Sequence, residues 1–384
     1  MRDEQGVQKP LLVKASSPPQ AASKKSHLLT ILLLLLTLIA LGHFIAVTHT
    51  AYPTVFTGSC SALIRNTDYT KIVQRRVSTQ SLGNVQFVEQ LLDGQPAALV
   101  PVIDSSPEHQ LDVYIYGCVL QHGRPALTLL FKHQGIVQGS VSVTQAGTLS
   151  IGSLDPTHSQ DISTLVNPLQ QHVYREYAWR NGAFVQIPFA GLYPVTSQAE
   201  AEALQEQASN GEPLPWTDPL ATAEQMARDI LQLSDFKGSL QDNDGRTAHV
   251  LLVQQQSHLE IPITLMRLVQ SDESGLWFVT HAQTRGITLD QSPLQHPVSS
   301  PITIRGTVEP AQKQTSIMLF DHALTPMYTL NKPSLTIRQD GQYECTITYT
   351  NRVPNQQGLL LIKTQPQEKS SASGQLLLTN ILLG

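Results

Sequence analysis

The sequence predicts a multidomain protein of mixed class, part α+β and part all-β, held behind one N-terminal transmembrane helix. Three observations predict it. Residues Leu28 to Val47 form an apolar run of twenty residues without Asp, Glu, Lys or Arg. A helix of that length rises ~1.5 Å per residue and matches the ~30 Å hydrocarbon core of a bilayer. Beyond it, short runs of alternating polarity are punctuated by Gly and Pro, the signature of strands and turns. Between them, from Pro194 to Leu231, the period switches to that of helices.

Residues 1–27 hold Ser16-Ser17-Pro18-Pro19 and Ser23-Lys24-Lys25-Ser26 and no hydrophobic period, so they read as a disordered cytoplasmic tail. The span is placed at 28–48. Bases flank it on the N-terminal side, and none follows until Arg65, so the positive-inside rule puts the N-terminus in the cytoplasm and the C-terminal domains outside. A cleaved signal peptide has a shorter apolar core of ~7–15 residues, so an anchor at the cell membrane is expected.

Residues 49–70 read as a juxtamembrane connector. A β-rich domain is expected over 71–194, with strand candidates at 73–77, 97–102, 111–116, 127–131, 141–143 and 184–187 and a hairpin turn at Asn181-Gly182. An α+β domain is expected over 195–285. Ser197-x-x-Glu200 is a capping box and Asn210-Gly211 a stop signal. Asp218-Pro219 opens a second helix, with Leu220, Ala223, Ala227, Ile230 and Leu231 on one face. Strands at 248–255, 259–269 and 276–284 complete a helix-on-sheet shape of the cystatin-like or nuclear-transport-factor-like kind. From 286 to 384, strand candidates recur about every ten residues, with Pro326, Pro333, Pro354 and Pro366 in the gaps, as in a β-sandwich.

The chain carries 25 bases and 30 acids, of which five and two fall in the first 27 residues, so everything beyond the tail is acidic. That argues against a nucleic-acid partner, which requires a basic face. Of three cysteines, Cys60, Cys118 and Cys345, none has metal-ligand spacing. Outside the cytoplasm one disulfide is allowed, with Cys60 to Cys118 the expected pair. Buried unpaired thiols are the alternative, best suited to Cys345.

Two stretches resemble known families. Ser292-Pro293, Val298-Ser299-Ser300-Pro301-Ile302, Ile304, Gly306, Phe320-Asp321, the alternating Tyr343, Cys345, Ile347 and Tyr349, Gly358-Leu359-Leu360-Leu361, Leu376 and Leu378 resemble the bacterial immunoglobulin-like domain of spore-germination and other envelope proteins. The resemblance implies a small extracytoplasmic sandwich with no catalytic residues. Tyr177-x-Trp179-x-Asn181-Gly182-x-Phe184-Val185, leading into Pro188-Phe189-x-Gly191-Leu192-Tyr193-Pro194, is similar to the LppP/LprE-type lipoprotein domain. The chain departs from a lipoprotein at its N-terminus, where Thr57 stands in place of the usual Leu before Gly58-Ser59-Cys60.

No nucleophile elbow, Walker A, dinucleotide fingerprint or H-E-x-x-H occurs, so no catalytic residue and no cofactor is expected. The thirteen histidines include His109, His122, His133, His158, His172, His249, His258, His281, His296 and His322. None pairs at i, i+4 with a second ligand type, and no metal site is expected. Asp242-Asn243-Asp244-Gly245 lacks the flanking acids of a calcium loop, since positions 240 and 251 are Leu, and reads as a turn. Asp104, Glu108 and Asp112 are expected in solvent. The binding candidates are Tyr177, Trp179 and Phe184, which would make an aromatic stacking or docking face if exposed and core if turned inward. The expectation is an anchored set of non-catalytic modules at the bacterial cell envelope, binding wall polymer or another envelope protein. The alternative is an envelope hydrolase or transferase with its site in the α+β domain.

Overall fold

The computed structural model describes residues 57–121, 124–158, 168–255, 259–290, 296–309, 312–330, 336–366 and 373–384. The chain divides into Met1–Thr54 and Val55–Gly384, and the described residues all belong to the second unit. The expected tail and the apolar run Leu28–Val47 lie outside them. Among the described residues no helix is long and apolar enough to cross a membrane.

The described unit is strand-rich and built of four sheets, whose strand pairs are all antiparallel. The first contains β1 (Gln80–Leu82), β2 (Gln86–Leu92), β3 (Gln95–Asp104), β4 (Gln110–Gln121) and β5 (Arg124–Val137), ordered β1-β3-β4-β5 with β2 also on β3. Its central strands alternate between two cores. Ala98, Val100, Val102, Tyr114, Tyr116 and Cys118 face one, while Ala97, Leu99, Val113 and Ile115 face the other. The first face is covered by a helix, Thr57–Asn66, inside the expected connector. Cys60 and Ile64, one turn apart, bury themselves against the sheet, and Cys60 closes a disulfide with Cys118.

The strand expected at 73–77 does not form. This stretch is irregular, and its Arg76 reaches across to Asp112. Asp112 is not in solvent as expected: it is fully buried, bonded by Arg76 at 2.8 and 2.6 Å, Gln80 at 3.0 Å and the Gly135 N–H at 2.7 Å. Burial pushes its carboxyl up, but these donors outweigh burial and hold it below the usual carboxylate range. Asp104 is buried as well.

The second face of the first sheet meets a four-stranded sheet, β6 (Ser140–Val143), β7 (Leu149–Leu154), β8 (His172–Arg180) and β9 (Ala183–Ile187), in that order. The β8–β9 turn is Asn181-Gly182, both at positive φ (52° and 82°), which suits a tight hairpin.

Two helices follow. Gln198–Ser209 is capped by Ser197, whose hydroxyl accepts from the Glu200 N–H, and Pro219–Asp229 by Asp218, which accepts from the Ala221 N–H. The second packs Ala223, Met226 and Ala227 onto a meander of β10 (Phe236–Asn243), β11 (Thr247–Gln254), β12 (Glu260–Met266) and β13 (Phe278–Gln283).

The meander does not end where a boundary at 285/286 would place it. The remaining strands are β14 (Thr288–Leu289), β15 (Ile302–Thr307), β16 (Gln312–Phe320), β17 (Pro326–Leu330), β18 (Thr336–Ile337), β19 (Gln342–Ile347), β20 (Gln356–Pro366) and β21 (Gln375–Leu383). β13 pairs with β21, Ala282 opposite Leu378, and makes one eight-stranded sheet ordered β10-β11-β12-β13-β21-β20-β16-β17. The four-stranded sheet β14-β15-β19-β18 lies over part of it.

The strands β16, β20 and β21 are therefore buried on both faces. Met318, Phe320, Leu359, Leu361, Leu376 and Leu378 point to the helix side, and Ile317, Leu319, Leu360, Ile362 and Leu377 to the sandwich side. This accounts for the unbroken Leu359-Leu360-Leu361-Ile362 and Leu376-Leu377-Leu378, because a strand covered on both faces has no polar side to show.

Candidate functional site

The expected binding aromatics do not form an open platform. Tyr177, Trp179 and Phe184 are half-buried and turn inward, against the first sheet. Phe131 of β5 meets Tyr177 at 5.0 Å and Phe184 at 5.3 Å between ring centres, and Trp179 meets Phe184 at 5.1 Å. The spacing is that of an aromatic cluster sealing two sheets.

Buried polar groups gather at the seam where the β6–β9 sheet meets the C-terminal strands. Arg175 of β8, 6% exposed, donates twice to the Pro354 carbonyl at 3.0 and 2.8 Å. The Gln357 amide pairs with the backbone of Phe189 in both directions, at 2.6 and 3.0 Å, in the manner of a strand neighbour.

At the same seam two turns meet. Asp155 and His158 occupy the turn that leaves β7; the Asp155 carboxylate accepts from the Thr157 N–H at 2.7 Å and so holds the turn closed. Asp321 and His322 open the β16–β17 turn, where Asp321 Oδ1 accepts from the N–H groups of Ala323 (3.0 Å) and Thr325 (2.9 Å).

The turns bond crosswise. His158 Nε2 is 2.7 Å from Asp321 Oδ2, and His322 Nε2 is 3.1 Å from Asp155 Oδ2. The two imidazoles stand edge to face with centres 5.5 Å apart. All four residues are at most 6% exposed. The hydrogen bond to Asp321 raises the His158 pKa above its ordinary value. Burial pushes Asp155 up, but the bonds from His322 and the Thr157 N–H prevail and hold it at about 2.

Asp155 and Asp321 also line a cleft of about 520 Å³, with Thr325, Thr348, Tyr349 and Arg352 on its walls. Two further buried acids stand near the seam, at the start of the helix Gln198–Ser209. Glu176 accepts from the Gln198 N–H, and Glu200 is paired with Ser197. Burial lifts both carboxyls to about 7.

Local spacing gave no hint of this cluster. Its two halves lie more than 160 residues apart, and neither Asp155-x-x-His158 nor Asp321-His322 is a ligand motif. The resemblance of the C-terminal stretch includes Phe320-Asp321, but 315–321 reads as strand and nothing in it marks the turn or its chemistry.

No protein-family model matches the chain, and no curated protein matches it. Among solved structures, the C-terminally truncated trimeric ectodomain of the C. elegans fusion protein EFF-1 aligns over 81% of this chain and 75% of that one, at 8% identity and a TM-score of 0.16. A likeness that slight carries no argument.

Proposed function

We propose that this chain is a membrane-anchored, extracytoplasmic protein of the bacterial cell envelope that works by binding rather than by catalysis, with wall polymer or another envelope protein as its partner. The observation that carries the reading is the Cys60–Cys118 disulfide. Such bonds persist in oxidising compartments, and this one ties the helix Thr57–Asn66 to β4. The run Leu28–Val47 and its N-terminal bases fit the same orientation. The β14-β15-β19-β18 sheet facing β16, β20 and β21 supports the immunoglobulin-like reading of the C-terminal part. The helix Pro219–Asp229 on the β10–β13 meander supports the cystatin-like one. The seam cleft, walled by hydroxyls, an arginine and two carboxylates, suits a polar ligand such as a glycan.

The test is retention of the purified chain on wall sacculi and on solubilised membranes, with a cytoplasm-active reporter fused after Gly384. Retention with a silent reporter is expected; an active reporter, or retention by neither material, overturns the reading. The second reading, an envelope hydrolase or transferase, has one observation in its favour: two imidazole–carboxylate pairs of the kind that serve as general bases stand beside the cleft. Release of fragments from sacculi by the wild-type chain but not by His158→Gln would select it.

A further inference from the structure

We propose that Asp155, His158 and His322, with Asp321 beside them, bind a divalent transition-metal ion of the zinc class. The inference goes beyond the envelope reading and does not depend on it. One ligand atom from each of Asp155, His158 and His322 can be chosen so that all three lie within 4.8 Å of one another. A four-coordinate zinc ion holds nitrogen and oxygen ligands at about 2.0–2.2 Å, which sets neighbouring ligand atoms about 3.3 Å apart. Two edges already approach that spacing, His322 Nε2 to Asp155 Oδ2 at 3.1 Å and His158 Nε2 to Asp321 Oδ2 at 2.7 Å. Entry of an ion requires the pairs to part slightly and the two turns to draw together by up to about 1.5 Å, while the metal takes the place of the shared protons.

The donor set selects the metal. Two imidazoles with carboxylates suit zinc and its neighbours, whereas calcium and magnesium favour all-oxygen shells. The carboxylates are already aimed. Backbone N–H groups hold Oδ1 of each, from Thr157 on one side and from Ala323 and Thr325 on the other, and turn each Oδ2 toward the rings. Nδ1 of His322 adds a second observation. It is buried, on a residue only 3% exposed, and has no hydrogen-bond partner among the described residues, so no second bond fixes the tautomer of the ring whose Nε2 faces Asp155. An ion has a way in, because Asp155 and Asp321 line the cleft. Bound there, it would clamp the turn after β7 to the β16–β17 turn and lock the seam.

The rival explanation is a pair of hydrogen bonds that staple the seam with no ion. To separate them, the full chain is purified in detergent, stripped with chelator and titrated with Co²⁺, read by its visible d–d absorption. Zn²⁺ is then added in competition, and thermal melts are recorded with and without Zn²⁺. The expected result is one Co²⁺ per chain, displaced by Zn²⁺, with a Zn²⁺-dependent rise in Tm. Affinity is expected to fall about tenfold or more in His322→Gln and in Asp155→Asn, and to be unchanged in His281→Gln, an exposed histidine on β13. Absence of the absorption in the folded wild-type chain overturns the proposal. So does absorption that survives both cluster substitutions, which would mean surface histidines only. If His322→Gln does not fold, the near-isosteric Asp155→Asn and the wild-type titration still decide.

Discussion

Replacing Glu176 by glutamine is expected to stabilise the protein by about 3 kcal/mol at pH 8 and by less than about 1 kcal/mol at pH 5. The carboxyl sits on β8 at 6% exposure, with Glu200 and Glu202 adding like charge and only the Gln198 N–H favouring the ionised form. Burial lifts it from 4.5 to about 7. The unfolded chain thus releases this proton near pH 4.5 and the folded chain near pH 7. Between those values the native state binds more protons, so stability falls as pH rises through the window and levels off above it. At ~1.4 kcal/mol per pH unit, the full window is worth about 3 kcal/mol. Glutamine keeps the oxygen that accepts from Gln198 and cannot ionise, so the slope attributable to this site disappears. Urea melts of both proteins at half-unit steps from pH 5 to 8 read the difference. Parallel curves for wild type and variant would refute the reasoning and place Glu176 in a better-solvated setting than its burial indicates.

Asp112→Asn is expected to cost about 3 kcal/mol at neutral pH, the low end for breaking a buried ion pair because Arg76 is 39% exposed. Since the Asp112 pKa is held down, its contribution is present above about pH 4 and lost as pH falls through the folded value. Melts of the two proteins should therefore converge in acid. The double variant Cys60→Ala, Cys118→Ala opens a loop of sequence separation 58 and should lose about 4 kcal/mol, checked against reduced wild type. Trp179→Ala should cost about 2 kcal/mol in melts, below the ~3–5 of a fully buried ring, through lost contact with Phe184. A stability-neutral Trp179→Ala that abolishes partner retention would instead restore the stacking-face reading of Tyr177, Trp179 and Phe184.

Local rules carried much of the fold. Ser197 and Asp218 cap the helices their spacing announces, and the runs at 97–102, 111–116 and 358–364 lie within strands, because capping and alternation act within a few residues. What escaped was long-range or masked by solvent. β10 reads Phe236-Lys-Gly-Ser-Leu-Gln-Asp-Asn and is exposed along most of its length, so it has no apolar face for a pattern to reveal. The helix Thr57–Asn66 turns Cys60, Leu63 and Ile64 to the core, a single turn of pattern in a stretch otherwise read as a connector. Asp112 lies in an apolar strand, and nothing nearby in sequence marks Arg76, 36 residues before it, as its partner. Period-2 patterning finds strands but does not say which pairs with which, so β13 and β21 could not be joined across the boundary placed at 285/286.

The candidate site escaped for the same reason, and the seam explains why it sits there. The sheet interiors are apolar and would tolerate sliding, whereas a seam fixed by oriented polar groups would not. Arg175 on the Pro354 carbonyl, Gln357 on the Phe189 backbone and the crossed His158–Asp321 and His322–Asp155 pairs each accept one relative placement of the β6–β9 sheet and the C-terminal strands. Shifting that placement by a residue would strand several buried polar groups at once, each at about 1–3 kcal/mol. Residues chosen to fix a seam in this way are also residues held rigidly at the wall of a cleft, and rigid, buried nitrogen and oxygen donors beside solvent are what a metal ion requires. The docking of the two β-systems and the chemistry available at their junction therefore have one origin, the crossed pairing of two turns that are remote in sequence.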